Sequence, residues 1–475
     1  MFRHLFFLVL AYLIHSHAGA QHSGVSVKDT RTAFNEQARR GDTLSNVLHQ
    51  MGTFEGHIRS FFMNTVNSKE LPDYFALGLG GGLAYYSPII KRFQVSMSGF
   101  IIYNIASSHL GNSNGLTNRY ELALFDITNP ENHEDLDRLE NLYLRYYLTR
   151  RLNSFVQVGK FHVSTPLLNL QDSRMRPNLQ EGVWLEVNDW EKVKIKSGWI
   201  WGTSPRSTIH WARIGESVGI YGAGRSVSGN PARYFGHVDT KGVLISNVEW
   251  LNKDLNYQLW NYFVNHLFNV TVQKAEYKTH MGLASMMFGV QYIYERSQSS
   301  DKIETDHQYI TPNERSHTIS GRIAFTNSKA DQESSLNYTR ITGHGRFLFP
   351  REWGTETLYT YNNRERNEGA GDVHAVMLEH IRYLDDHHRL SIRGLGGVYK
   401  MPAVENARLN KYSMPSYYHL TLQGRYKFKG FLHGLQGQLL YTYKGNVEND
   451  VGANPVYFHN KVDMHHVSLV MDYYF

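Results

Sequence analysis

Apolar and polar residues alternate at every second position along most of this chain. In the final segment Phe475, Tyr473, Met471, Leu469 and Val467 make one apolar face. Tyr474, Asp472, Ser468 and His466 make the other, with Val470 as the exception. A period of two belongs to a β-strand, whose successive side chains point to opposite faces. The pattern recurs upstream. Phe93, Val95, Met97, Gly99, Ile101 and Tyr103 oppose Gln94, Ser96, Ser98 and Asn104. Leu142, Leu144, Tyr146 and Leu148 oppose Asn141, Tyr143, Arg145 and Tyr147. Leu420, Leu422, Gly424, Tyr426 and Phe428 oppose His419, Thr421, Gln423, Arg425 and Lys427. The alternation predicts eighteen strands, at 54–66, 74–87, 92–105, 138–150, 154–161, 180–189, 192–201, 241–250, 254–264, 268–278, 283–296, 314–327, 331–342, 373–384, 387–399, 415–428, 432–446 and 462–475.

The connections alternate too, short then long. Pro88 to Lys91 and Asp385-Asp386 are short links, whereas 106–137, 162–179, 202–240, 297–313 and 343–372 are long. Short turns at one end and long loops at the other mark an antiparallel transmembrane β-barrel, with apolar residues facing lipid and polar residues facing the lumen. An aromatic residue ending the last strand fits a membrane interface. A soluble β-sandwich would bury its apolar faces inward and gives no reason for that placement. Eighteen strands leave an aqueous channel, whereas about eight would be filled by side chains.

The start of the chain suits export. Arg3 and His4 precede the apolar run Leu5 to Ile14, and Ala18-Gly19-Ala20 offers a small-residue cleavage site, so 1–20 reads as a signal peptide. Residues 21–53 are polar and read as a short periplasmic lead, with the barrel at 54–475. The chain contains no cysteine, which removes disulfides and thiolate metal sites. No later stretch is long and apolar enough for a membrane helix, and only helices and closed barrels satisfy their backbone in lipid. The 31 Tyr, 24 Phe and 8 Trp suit aromatic girdles on strands. A net charge of +6 is modest and does not mark a nucleic-acid binder.

With outward faces assigned by apolarity, inward bases include Arg59, Arg145, Lys194, Lys196, Arg322, Arg393, Arg425 and Lys427. The inward acids counted are Glu186, Glu249, Glu295 and Asp472. A basic wall concentrates anions, and the planar guanidinium fork suits a carboxylate. Two loops mix Pro and apolar residues with charge: Ser164 to Pro177, containing Asp172, Arg174 and Arg176, and the aromatic-bearing Phe349 to Gly354, containing Arg351 and Glu352, followed by Arg364 to Gly369. Folded inward, such loops would narrow the channel.

These loops resemble those of the OprD family of Gram-negative outer-membrane porins. The likeness rests on Thr165-Pro166 and Asp172 to Pro177, Trp201 to Thr208, Phe349 to Gly354, and Tyr426 to Leu435. It implies an 18-stranded monomeric channel in the outer membrane, narrowed by its third and seventh external loops, here 162–179 and 343–372. It also implies a ladder of basic residues that passes small carboxylate-bearing solutes. The residues themselves leave a trimer open. The candidate substrate-binding set is therefore Arg145, Asp172, Arg174, Arg176, Arg322, Arg351, Glu352, Arg393, Arg425 and Lys427. No cofactor, metal or nucleic-acid partner is expected; membrane lipid and small anionic solutes are.

Other motifs point elsewhere. Gly215-Glu216-Ser217-Val218-Gly219 matches the hydrolase nucleophile elbow but sits in a long loop. His387 and His388 follow Asp385-Asp386 at a tight turn, where solvated polar residues are expected. Gly78, Gly80, Gly81 and Gly82 do not complete a dinucleotide fingerprint and more simply ease bending of the strand or leave room for a neighbour. The rival functions are a non-selective porin of the same architecture, a hydrolase using Ser217, or an adhesin or receptor whose loops bind a partner above a barrel anchor.

Overall fold

The computed structural model describes residues 52–475 except 69, 112–115, 117, 171–172, 283, 328, 330, 449–451 and 453. The proposed signal peptide, most of the polar lead and Asp172 lie outside the described residues. Nineteen strands form one sheet. They are β1 (Thr53–Asn67), β2 (Tyr74–Tyr86), β3 (Phe93–Ser107), β4 (Leu136–Tyr147), β5 (Phe155–Phe161), β6 (Leu179–Val187), β7 (Val193–Ser204), β8 (Ala212–Arg213), β9 (Val243–Leu251) and β10 (Leu255–Val264). They continue with β11 (Phe268–Met281), β12 (Ala284–Ser297), β13 (Arg315–Thr326), β14 (Gln332–Ile341), β15 (Val373–Tyr383), β16 (Leu390–Lys400), β17 (Tyr417–Lys427), β18 (Leu435–Asn446) and β19 (Met464–Tyr474). The two-residue β8 only flanks the top of β7, which also pairs with β9. The other eighteen strands are the predicted ones, and every pairing is antiparallel.

The ring closes where β1 pairs with β19, from His57 opposite Tyr474 to Asn67 opposite Met464. Phe475 extends the seam: Gly56 N donates to Phe475 O at 2.7 Å and Phe475 N donates back to Gly56 O at 3.1 Å. Closure leaves no edge strand, which lipid requires because it offers the backbone no hydrogen bonds. Strands about 4.8 Å apart and tilted about 40° close a ring of this size at about 36 Å across. Side chains alone do not fill that width.

The alternation seen in sequence separates the two faces of the wall. Leu420 and Leu422 on β17, and Leu336 on β14, are exposed, while His419, Thr421, Gln423 and Asn337 are buried inward. An outward apolar band of this extent suits lipid and not water. Val470, the exception in the last strand, faces inward and joins an apolar cushion with Phe61, Met63, Phe100 and Leu122. That cushion seats the loop between β3 and β4 on the inner wall of β1–β3. A larger cushion lies inside the barrel, where Leu167, Leu168, Phe347, Phe349 and Trp353 from the long loops pack on Tyr262 and Phe268 of the wall. The core therefore sits in the lumen, and the loops are what fill it.

Candidate functional site

The loop between β5 and β6 turns into the lumen and reaches β1, four strands away. Arg59 on β1 donates to Arg174 O at 2.6 Å and Met175 O at 3.3 Å, which fastens the loop by its backbone. Arg59 also grips Asp472 on β19 with two bonds, Nε to Oδ1 at 2.6 Å and Nη2 to Oδ2 at 3.1 Å. Arg176 holds both carboxylate oxygens of Glu140 on β4. Its Nη1 lies 2.8 Å from His57 Nδ1. An arginine only donates, so Nδ1 accepts, and His57 is neutral with its proton on Nε2. That proton is then donated to Asp472 Oδ1 at 2.8 Å. The result is one continuous chain, Glu140–Arg176–His57–Asp472–Arg59, locked to the loop backbone.

The glycines of β2 position this chain. Gly78, Gly80 and Gly82 are buried and share the inward face of the wall. A Cβ on Gly80 would fall 2.3 Å from the Phe100 ring, and one on Gly82 2.4 Å from it. Without side chains there, Phe100 covers the wall, and the Arg176 guanidinium sits 4.2 Å above its ring centroid. Such a cation–π contact contributes about 0.5–2 kcal/mol and fixes the plane of the fork. The glycines leave room for a neighbour, as expected, and that neighbour is the platform of a site residue.

The loop between β14 and β15 runs along the inner wall from β11 round to β19. Leu348 N donates to Glu295 on β12 at 2.9 Å, and Tyr359 OH donates to Glu276 on β11 at 2.9 Å. Thr360 bonds Thr339 on β14 at 2.8 Å, and Asn362 accepts from Thr421 on β17 at 2.8 Å. At its tip Arg364 reaches His466 and Ser468 on β19, and Glu365 pairs with Lys444 on β18 at 2.8 Å. The two loops touch: Asn169 Nδ2 donates to Thr355 O at 2.6 Å, and a Cβ on Gly354 would meet Leu167 O at 2.0 Å. Both loops thus fold inward and narrow the lumen between them.

Within this loop knot, Arg351 donates to Glu368 at 2.8 Å and lies 3.6 Å over the Tyr412 ring. Lys411 stands among the rings of Tyr234, Tyr309 and Tyr412 at 4.7, 4.3 and 5.2 Å, with Glu368 at 3.7 Å. Burial pulls the Lys411 ammonium down to about 8, against the raising effect of Glu368. Burial pushes the Glu368 carboxyl up, but Lys411 and Arg351 outweigh it and hold it below its ordinary value.

The expected site residues divide into groups. Arg174 and Arg176 are brought to the β1 wall. Arg351 braces the knot, and Glu352 is buried, accepting from the backbone N–H of Gly219 and Tyr221 at 3.0 Å each. Glu352 is therefore a loop tether, buried and with both amides on its Oε1. Arg322 pairs with Glu333 at 2.5 Å and Arg393 with Glu379 at 2.6 Å. Arg145 donates to Gln157 at 3.0 and 2.7 Å, with Phe155 stacked 4.2 Å away. Arg425 donates to Gln438 at 2.9 Å, and Lys427 is exposed at the short-turn end.

The inner wall carries more acid than the sequence count. Glu333 and Glu379 alternate regularly and were open to the same face count. Glu140 was not: the β3–β4 register shifts between Met97 and Gly99, and beyond that bulge Arg138 and Glu140 face inward along with Asn141 and Tyr143. His57 carried no signal beyond its parity.

Ser217 ends a one-turn helix, Ile214–Ser217, and is buried. Its hydroxyl donates to Ile214 O at 2.7 Å and accepts from Trp353 Nε1 at 2.9 Å, a structural use of the group. His388 stacks on Tyr383 at 4.2 Å in a turn organised by Asp385, which accepts from Arg389 N, Arg389 Nε and Leu390 N.

The eighteen-stranded barrel is shared by solved structures. The chain is similar to Pseudomonas aeruginosa OpdK crystallised with vanillate, at 13% identity and a TM-score of 0.65, covering 89% of this chain and 98% of that one. It is similar to P. aeruginosa OccK8 (OprE), at 14% identity and a TM-score of 0.66, covering 89% and 97%. It is also similar to Acinetobacter baumannii OccAB2, at 13% identity and a TM-score of 0.69, covering 90% and 99%. No curated protein sequence matches the chain. The sequence profile of the outer membrane porin OprD family matches residues 128–384, more than half of the chain and all of the span from the β4 approach to β15. The chain belongs to the OprD family of outer-membrane porins.

Proposed function

We propose that this porin passes small hydrophilic solutes by passive diffusion and favours those bearing a carboxylate. The observation that carries this reading is the pairing of Arg145 and Arg425. Both face the lumen, and both donate to a glutamine amide, Gln157 and Gln438, with no carboxylate in ion-pair reach among the described residues. A guanidinium satisfied by a neutral amide keeps its full charge for a passing anion. Arg176 and Arg59 add support, since each already holds a carboxylate in two bonds, which is the geometry a solute carboxylate would enter by exchange. The vanillate in the OpdK crystal is itself an aromatic carboxylate. Release requires that no single site hold the solute tightly, and spaced guanidiniums meet that need.

Liposome swelling checks the reading. Proteoliposomes should swell faster in a small monocarboxylate than in a neutral solute of equal size. Arg145→Gln with Arg425→Gln should remove most of that preference while leaving neutral flux near wild type. Equal rates for the two solutes in the wild-type protein would refute carboxylate preference and leave a general porin.

A further inference from the structure

The outer face of the barrel carries a cluster of charge that the solute pathway does not use. It lies at the long-loop rim of β12–β16. Arg296 on β12 stands directly opposite Arg315 on β13. Arg340 on β14 stands opposite His374 on β15, and His374 stands opposite Lys400 on β16. All five point outward by parity, and Arg296, Arg315, His374 and Lys400 are exposed. Like charges directly across a strand pair are destabilising unless something neutralises them. Among the described residues, the acid within this group is Asp372, which Arg340 holds at 2.6 Å. Arg296, Arg315 and Lys400 have no carboxylate within ion-pair reach there.

The same strands turn apolar one step towards the membrane. Ile319, Leu336, Val376 and Val398 follow the cations along the outward face, and all are exposed. Two outward glycines of β16, Gly394 and Gly396, then open a groove of about 700 Å³ between Leu378 and the pair Leu420 and Leu422. Tyrosines mark the boundary: Tyr338 OH bonds His374 Nδ1 and Tyr292 OH bonds His317 Nδ1, each at 2.8 Å. Five adjacent strands span about 19 Å at 4.8 Å spacing. Cations above, a tyrosine belt at the interface and an acyl-wide groove below match a lipid whose headgroup carries phosphate.

We propose that this rim binds a phosphate-bearing glycolipid of the outer leaflet, with phosphates on Arg296, Arg315 and Lys400 and an acyl chain along the Gly394–Gly396 groove. The site lies on the lipid face and is separate from the lumen.

The test uses the refolded full chain in neutral detergent, with native mass spectrometry against bis-phosphorylated lipid A, dephosphorylated lipid A and inorganic phosphate. Lipid A should bind at least tenfold more tightly than its dephosphorylated form. Arg296→Glu with Arg315→Glu should lose that advantage, whereas Lys192→Glu with Lys253→Glu at the opposite end should keep it. A heat-modifiable gel shift verifies folding of each variant. Gly394→Trp, which fills the groove and leaves every charge, should weaken lipid A but not inorganic phosphate. Equal binding of the two lipids, or undiminished binding by the folded Arg296→Glu/Arg315→Glu protein, would overturn the proposal. So would phosphate binding with no gain from the lipid, which would make the rim a small-anion site.

Discussion

Arg176 ties the loop between β5 and β6 to the wall at the scale of single residues. Its fork serves Glu140, its third donor serves His57, and its plane rests on Phe100. Arg176→Ala would strand Glu140 as a buried, unpaired carboxylate, a loss of about 3 kcal/mol or more for this type of pair. The reversal potential in a salt gradient should then shift towards cation preference, and Arg176→Lys should restore it only partly because a lysine lacks the fork. An unchanged reversal potential in a folded Arg176→Ala barrel would show that this guanidinium does not set the field of the pore.

Lys411 gives a pH dependence. Its pKa in the folded chain, about 8, lies below the ordinary lysine value, so the folded state releases the proton first. Stability from this group therefore rises with pH between about 8 and the unfolded lysine value, and is lowest at neutral pH. The urea midpoint should climb from pH 7.5 to about 9.5 in the wild type. Lys411→Met should flatten that climb, and an equal climb in the variant would assign it to other groups.

Secondary-structure elements were the most legible part of the sequence. All eighteen wall strands follow from alternation, because one face meets lipid and the other meets water along each of them. The exceptions have physical causes. The β3–β4 bulge inverts the parity that places Arg138 and Glu140, so a strict period of two misreads them. The knot around Lys411 unites several distant loops and has no period at all. The backbone amides that turn Glu352 into a tether come from another loop, more than a hundred residues away. The glycines of β2 were legible as space, but not as space for Phe100. Gly80→Val should displace Phe100, crowd the Ile101 carbonyl of β3, which a Cβ there would approach to 2.8 Å, and tilt Arg176. Anion preference should fall with wild-type heat-modifiable mobility, and retained preference would separate the glycine stripe from the site.

The whole molecule is a lipid-facing cylinder whose core is made by its own loops. One apolar cushion sits on β1–β3 and β19, and the larger one spans the inner wall from β4 to β17. The ring is wide, so loop placement and not barrel size sets the width left for a solute. Arg59 fastens one loop by its backbone, and the other is stitched to the wall from β11 to β19. Single-channel recording in planar bilayers tests this account most directly. The purified barrel should give uniform conductance steps in potassium chloride, and a small monocarboxylate added to one side should block them in a concentration-dependent way that a size-matched neutral solute does not. Absence of steps from well-folded protein, or equal block by the neutral solute, would contradict it.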